Sequence, residues 1–385
     1  MLLRMPKITL WRIIIAVIAA LGLYYTALRY TRGLGAVTNL SDKFPWGLWV
    51  GFDVITGVGL AAGAFIIALT VYIFRIDTYR PILRPAILTG FLGYSLVAVG
   101  LLYDLGKWYD VWHPIVFWNP HSVMFEVAWC VMLYLTVLAL EFSSVVFERL
   151  RLNLLKKLIH MLIIPLSILG VILSTLHQSS LGSLFLIVPS KLYALWYSPY
   201  LPLFFFVSAV SVGFAMVTME SFLSRRFLGK GIELNLLNGL ARVNVLVMAF
   251  YLTIKLIDLA NRGVLGAVLS TRFESIMFDI ETMVQVVVPL LLLLIPAVRT
   301  SARGLFVTSL FIVIGFIMNR LDITITGVEA SSGTSYFPAF GEIAISVFLV
   351  TMGFLAFAFA AKYLNVFVHV QKKDEPPVAI IHDVE

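Results

Sequence analysis

Along this chain the apolar positions neither alternate with polar ones nor form narrow amphipathic stripes; they run in long, nearly uncharged stretches separated by short polar or basic segments. A hydrocarbon layer about 30 Å thick is crossed by about 20 apolar helical residues. Ten windows meet that requirement: 11–30, 46–74, 85–105, 121–147, 158–176, 201–223, 243–259, 276–298, 305–318 and 343–368. Backbone amides have no water partners inside lipid, so continuous apolar windows of this length form helices. The pattern predicts an all-α integral membrane protein with ten transmembrane helices.

Composition agrees, with 61% hydrophobic and 13% charged residues, where a soluble domain carries about a quarter charged. The net charge of +7 does not point to nucleic acid, because in a membrane protein the placement of Lys and Arg sets orientation. Ten spans put both termini on one side. That side collects 19 of the 28 Lys and Arg residues, from Arg4, Lys7 and Arg12 through Arg75–Arg84, Arg149–Lys157, Arg225–Arg242 and Arg299–Arg303 to Lys362, Lys372 and Lys373. Both termini are therefore expected in the cytoplasm and the chain in a bacterial inner membrane. The first window follows Arg4 and Lys7 as a secretory signal would, but its length and the lack of a small-x-small site before Leu21 predict a retained helix. The single cysteine, Cys130, supports no iron–sulphur cluster or zinc site built by this chain alone.

The chain also resembles itself at a shift near 154. LLYDLGKW from Leu101 aligns with KLIDLANR from Lys255, which sets Asp104 on Asp258; SVMFEV from Ser122 aligns with SIMFDI from Ser275, which sets Glu126 on Asp279. QSSLGS from Gln178 falls on ASSGTS from Ala330, and Gly59 on Gly213. This predicts two four-helix bundles, helices two to five and six to nine, flanked by the first and last helices. An even helix count keeps both units in one orientation about an axis along the membrane normal. The divisions follow: 1–42 for the first helix and its linker, 43–200 and 201–340 for the bundles, and 341–385 for the last helix and tail. The tail QKKDEPPVAIIHDVE reads as flexible and without a site. The first bundle is the better candidate for a site, since Asp53 corresponds to Val207 and His177 falls near Glu329 or Ala330.

Ionisable groups inside hydrocarbon are costly and mark partners or pathways. Asp53, Asp104, His121, Glu126 and His177 all fall near the outer ends of their helices, with Tyr94 deeper on helix three and Arg84 at its cytoplasmic end. Carboxylates, an imidazole and a phenol together can hydrogen-bond a quinone's carbonyls and deliver protons to them. Each group taken singly also fits an interhelical hydrogen bond. Two membrane haems would need four histidines paired on facing helices, and only His121, His160 and His177 lie in or beside the core windows. Between helices three and four, Trp108, Trp112, Phe117 and Trp118 form either an interfacial belt or a docking surface and quinone entrance. The interrupted stretch from His177 to Pro199 is expected to lie along the interface.

The strings KFPWGLWVGFDV, YRPILRPAILTGFLGY, FWNPHSVMFEVAW and LSTLHQSSLG, in this order and spacing, resemble the HybB-type membrane subunit of nickel-iron hydrogenases, within the wider superfamily of NrfD and the polysulfide reductase membrane subunit. The resemblance covers nearly all the chain from about Lys43. It implies two four-helix bundles, no haem, and a quinone (menaquinone or ubiquinone) as substrate near the outer face. It further implies a ferredoxin-like iron–sulphur partner and the hydrogenase large and small subunits beyond it. The resemblance ties Asp53, Arg84, Tyr94, Glu126 and His177 to quinone and proton handling, with Glu220 as the candidate for proton entry; beside these, Asp104 is expected in the proton pathway and Trp49 and His121 in the quinone pocket. The expected activity is hydrogen:quinone oxidoreduction by the complex, with no catalysis by this chain alone. The alternatives are the membrane subunit of a related polysulfide, nitrite or multihaem cytochrome complex, and an ion or solute transporter.

Overall fold

The computed structural model describes residues 9–187, 192–229 and 234–367; the C-terminal tail and the basic residues Arg4, Lys7, Lys230, Lys372 and Lys373 lie outside them. Among the described residues, ten helices are long and apolar enough to cross a membrane: α1 Leu10–Arg32, α2 Trp49–Ile73, α3 Asp77–Asp104, α4 Val123–Arg149, α5 Asn153–Leu186, α6 Leu201–Leu228, α7 Leu234–Asn261, α8 Phe273–Leu294, α9 Ala302–Ser332 and α10 Phe340–Tyr363. Among the described residues, pairing of extended backbone is limited to an isolated Ser41–Phe44 bridge. The protein is an all-α, multi-pass integral membrane protein. Below, the face at which α1 begins and α10 ends is the terminal face and the opposite one the distal face.

Helices α2–α5 form one four-helix bundle and α6–α9 the other, while α1 pairs with α10 and α10 lies on α3. Over their most apolar 18 residues, α2 is 78% and α6 72% buried, against 6% for α1, so α2 and α6 are the centre and α1 the lipid-facing edge. Close approach there depends on missing side chains: a Cβ on Gly213 would stand 2.5 Å from Ile66 and 3.1 Å from the backbone of Ala62 and Gly63. Small residues at a helix crossing do this work in lipid, where helices gain little from hydrophobic burial against one another. Gly59, the repeat counterpart of Gly213, instead receives the Phe316 ring of α9, 2.2 Å from where its Cβ would stand.

The repeat extends to the distal connections, where short helices His113–Val116 and Leu265–Val268 occupy matching places between α3 and α4 and between α7 and α8. Two sequence expectations change. Of the stretch after His177 expected along the interface, residues to Leu186 complete α5, residues 188–191 lie outside the described residues, and Leu192, Leu195 and Trp196 are buried, with Tyr193 N–H donating to the Gly327 carbonyl at 2.9 Å. The ninth window stopped at Met318 because Asn319, Arg320 and Asp322 follow, yet α9 continues to Ser332. Those side chains turn inward and find partners, so their polarity does not end the helix.

Candidate functional site

Inside the first bundle a group of polar atoms is sealed from water. Tyr94 of α3 sits edge-on to Tyr134 of α4, with ring centroids 4.6 Å apart, and 5.9 Å from the His177 ring of α5. Ser174, one turn below His177, adjoins both phenols. The hydroxyls of Tyr94, Tyr134 and Ser174 and both ring nitrogens of His177 are buried and make no hydrogen bond of ordinary geometry. A buried polar atom left so costs about 1–3 kcal/mol. Five such atoms from three helices, converging at one level, form a polar socket in the middle of the first bundle. Gln178 fixes the socket's wall by donating to the Val58 carbonyl of α2 at 3.1 Å.

Glu126 lies one turn into α4 and half buried, on the distal side of this socket. Its carboxylate accepts from the Ser180 hydroxyl of α5 at 2.6 Å. Around this end stand the exposed Phe117, Trp118 and Met124, an apolar rim next to a carboxylate.

The other distal residues singled out in the sequence gather elsewhere. Asp53 of α2 is buried and accepts from Ser346 of α10 at 2.5 Å, in a second group with Asp104, Arg29 and Glu342. Arg29 donates to the Tyr103 and Leu105 carbonyls at 2.7 and 2.6 Å, which pins the distal end of α3. Trp49 is buried there too, its Nε1 donating to the Glu342 carbonyl at 3.2 Å. Outside the spans, Tyr336 donates to Glu342 at 2.5 Å and accepts from Leu48 N–H; burial first, then the Glu342 carboxylate, push its phenol above the ordinary value, so it stays a donor. His121 is exposed on the distal connection. The single layer expected from sequence is thus two groups on either side of α2 and α3, with His121 in neither.

Toward the terminal face, Glu220 of α6 accepts from Thr89 of α3 at 2.6 Å. Arg84 pairs with Glu148 at 2.9 Å, and Glu148 also holds Lys156 at 3.0 Å. Arg84 further donates to the Asn365 carbonyl at 2.9 Å, so it clamps α3, α4 and the end of α10. Sequence reading missed Glu141, which is buried on α4 and accepts from Ser167 of α5 at 2.7 Å. With Tyr134 and Glu148 it makes a seven-residue repeat on one helix face, a periodicity that could have revealed it. Also missed was a buried charged network in the second bundle, formed by Lys255, Glu281, Asn319, Arg320 and Asp322. Among the described residues no group of three or more His, Cys, Asp or Glu is arranged to hold a metal ion.

Residues 36–330 match the family described as polysulphide reductase, NrfD. A Nitratidesulfovibrio vulgaris protein whose name states no function is 39% identical over 374 residues, covering 94% of this chain and 96% of its own. The probable Ni/Fe-hydrogenase 2 b-type cytochrome subunit of Escherichia coli is 32% identical, covering 90% of this chain and 89% of its own. The integral membrane subunit of a menaquinone reductase from Nitratidesulfovibrio vulgaris is 28% identical over 94% of this chain and 93% of its own.

Proposed function

The chain belongs to the NrfD family of integral membrane proteins, and on that premise we propose that it is the quinone-reactive subunit of a respiratory oxidoreductase complex. The observation that carries this reading is the socket of Tyr94, Tyr134, Ser174 and His177, with five buried polar atoms that make no hydrogen bond of ordinary geometry and Glu126 beside it. A quinone headgroup supplies two carbonyl oxygens that accept from such donors, and its apolar tail suits the exposed Phe117–Met124 rim. Reduction to the quinol takes two electrons and two protons. We assign the electrons to a cluster in a partner iron–sulphur subunit on the distal face. Glu126 and His177 hand on the protons nearest the headgroup, Tyr94 supports them, and Glu220 refills the site from the terminal face, which we assign to the cytoplasm. Asp53 and Asp104 act through the neighbouring distal group rather than by touching the headgroup.

The names of the two relatives favour hydrogen or another donor feeding menaquinone; hydrogen:quinone oxidoreduction, with nickel-iron large and small subunits beyond the iron–sulphur partner, is the reading we adopt. The Escherichia coli relative's name also carries a b-type cytochrome. Haem b in a membrane is held by histidines paired across facing helices, and the described histidines do not fit. His113 and His121 lie on the distal connection, His160 is exposed near the terminal end of α5, and His177 packs against Tyr94. We therefore derive no step through haem.

A photoreactive quinone analogue tests the site. Labelled peptides should contain Tyr94, Glu126 or His177 and lose label in competition with native quinone. Labelling confined to α7–α9, beside Asp258 and Asp279, would place the pocket in the second bundle and overturn the reading.

A further inference from the structure

At the level where the first bundle has its socket, the second bundle holds charge. Lys255 of α7 donates to Glu281 of α8 at 3.2 Å and to Thr282 at 3.0 Å. Asn319 of α9 donates to the same Glu281 oxygen at 3.0 Å, and Arg320 to Asn319 at 2.7 Å and to Ser208 of α6 at 2.7 Å. Glu281 is 0% and Asp322 4% exposed. Their remaining oxygens, Glu281 Oε2 and Asp322 Oδ2, accept from no donor, and the two carboxyls lie within hydrogen-bonding reach of each other. Two ionised carboxylates in contact away from water repel strongly, and one proton held between them replaces that repulsion with a hydrogen bond.

The surroundings suit a proton that comes and goes. Lys255 and Tyr251 face the pair from α7, Asp279 stands nearby on α8, and Arg320 closes it from α9. With Lys255 and Arg320 charged and both acids ionised the four groups sum to zero, and with one shared proton to +1. Beside Lys255 and Arg320 lies a cavity of about 20 Å³ that runs past Asp258 to Arg262, where about 10–15 Å³ is enough for a water. The Trp196 indole N–H at its wall is buried and also without a partner. Asp258, held by Ser198 at 3.0 Å and by Arg262 at 2.8 Å, leads to the distal face. Asp322 opens a π-helical turn, Asp322–Thr326, and Glu281 sits two residues before another, Met283–Val287; such turns recur at functional sites.

We propose that the second bundle carries a proton-exchange site, the Glu281–Asp322 carboxyl pair held by Lys255, Asn319 and Arg320, which loads and unloads one proton through the water-sized cavity beside Lys255 and Arg320 toward the distal face. Its ligand is a proton carried by water, not a second quinone or a metal ion, and it stands whether or not the first bundle binds quinone. Infrared difference spectra of the intact complex, recorded between mildly acid and alkaline solution, test it. The wild type should show a protonated-carboxyl carbonyl band that shifts in heavy water. Asp322→Asn and Glu281→Gln should each delete one component of that band, and Asp258→Asn should leave it. Thr326→Val keeps both carboxyls and removes only the donor to Asp322 at 2.8 Å, so it should shift the same component even where the acid replacements do not assemble. A Thr326→Val spectrum that superimposes on the wild type, or wild-type spectra with no exchanging carboxyl band, would overturn the proposal.

Discussion

A carboxyl group that protonates a reduced quinone must be reachable by the headgroup, shielded enough to hold a proton, and connected so that it can be refilled. Glu126 has this character: half buried, bound to Ser180, and at the rim of the socket. Glutamine in its place keeps shape and a hydrogen bond but cannot cycle a proton. We expect Glu126→Gln to lower quinone-linked turnover by about 10²- to 10⁴-fold, the span of general acid–base contributions, with assembly and artificial-dye activity unchanged. Wild-type quinone reduction in such membranes would reduce Glu126 to an interhelical hydrogen-bond partner. Tyr94 gives a sharper contrast, because its hydroxyl is buried with no partner of ordinary geometry. Removing an unsatisfied buried group relieves a desolvation cost. Tyr94→Phe should therefore melt at the same temperature or higher while quinone turnover falls, whereas a structural role would lower both.

At the scale of the helix, the apolar windows were enough to place all ten spans, because length and hydrophobicity are what the bilayer selects. What they concealed follows from inward pairing. Glu141 was passed over inside the fourth window because its partner, Ser167, is 26 residues away. Asn319, Arg320 and Asp322 looked like a helix end, although their partners Glu281 and Ser208 lie on α8 and α6. The separation of Asp53 from Glu126 was likewise invisible, since sequence gives depth along a helix but not the neighbour it faces; only Ser346 on α10 shows that Asp53 looks away from the socket. The repeat did identify the central crossing in part: Gly213 was singled out, while its contact is Gly63 rather than the aligned Gly59. There the backbones meet with no room for a branched side chain. Gly213→Val should cost about 1–3 kcal/mol by overpacking, read as a lower melting temperature of the detergent-solubilised complex, while Gly229→Val, at a helix end with open space around it but with φ +66°, disturbs only its own turn. An unchanged melting temperature for Gly213→Val would refute the tight crossing.

For the whole molecule, direction decides what the chemistry achieves. If protons for the quinone come through Glu220, bound to Thr89 on the terminal side of the socket, while electrons arrive from the distal face, each turnover separates charge across the membrane. The sign of that separation depends on which face is cytoplasmic. The two faces are chemically unequal: Arg84, Lys156 and the basic segments at Arg149–Lys157, Arg225–Arg226 and Arg299–Arg303 all lie at the terminal face, and Lys and Arg near span ends are retained in the cytoplasm. Reporter fusions read this directly. Alkaline phosphatase joined after Tyr363 should be inactive and a fluorescent protein there bright, with the opposite outcome for fusions in the connection between α3 and α4. In proteoliposomes of that orientation, quinone reduction by the wild-type complex should build a potential that Glu220→Gln removes while turnover merely slows, and Glu126→Gln should stop both. A potential that survives Glu220→Gln would mean that the protons travel by another route, for which buried Glu141, two helical turns from both Tyr134 and Glu148 on the same face of α4, is the next group to replace.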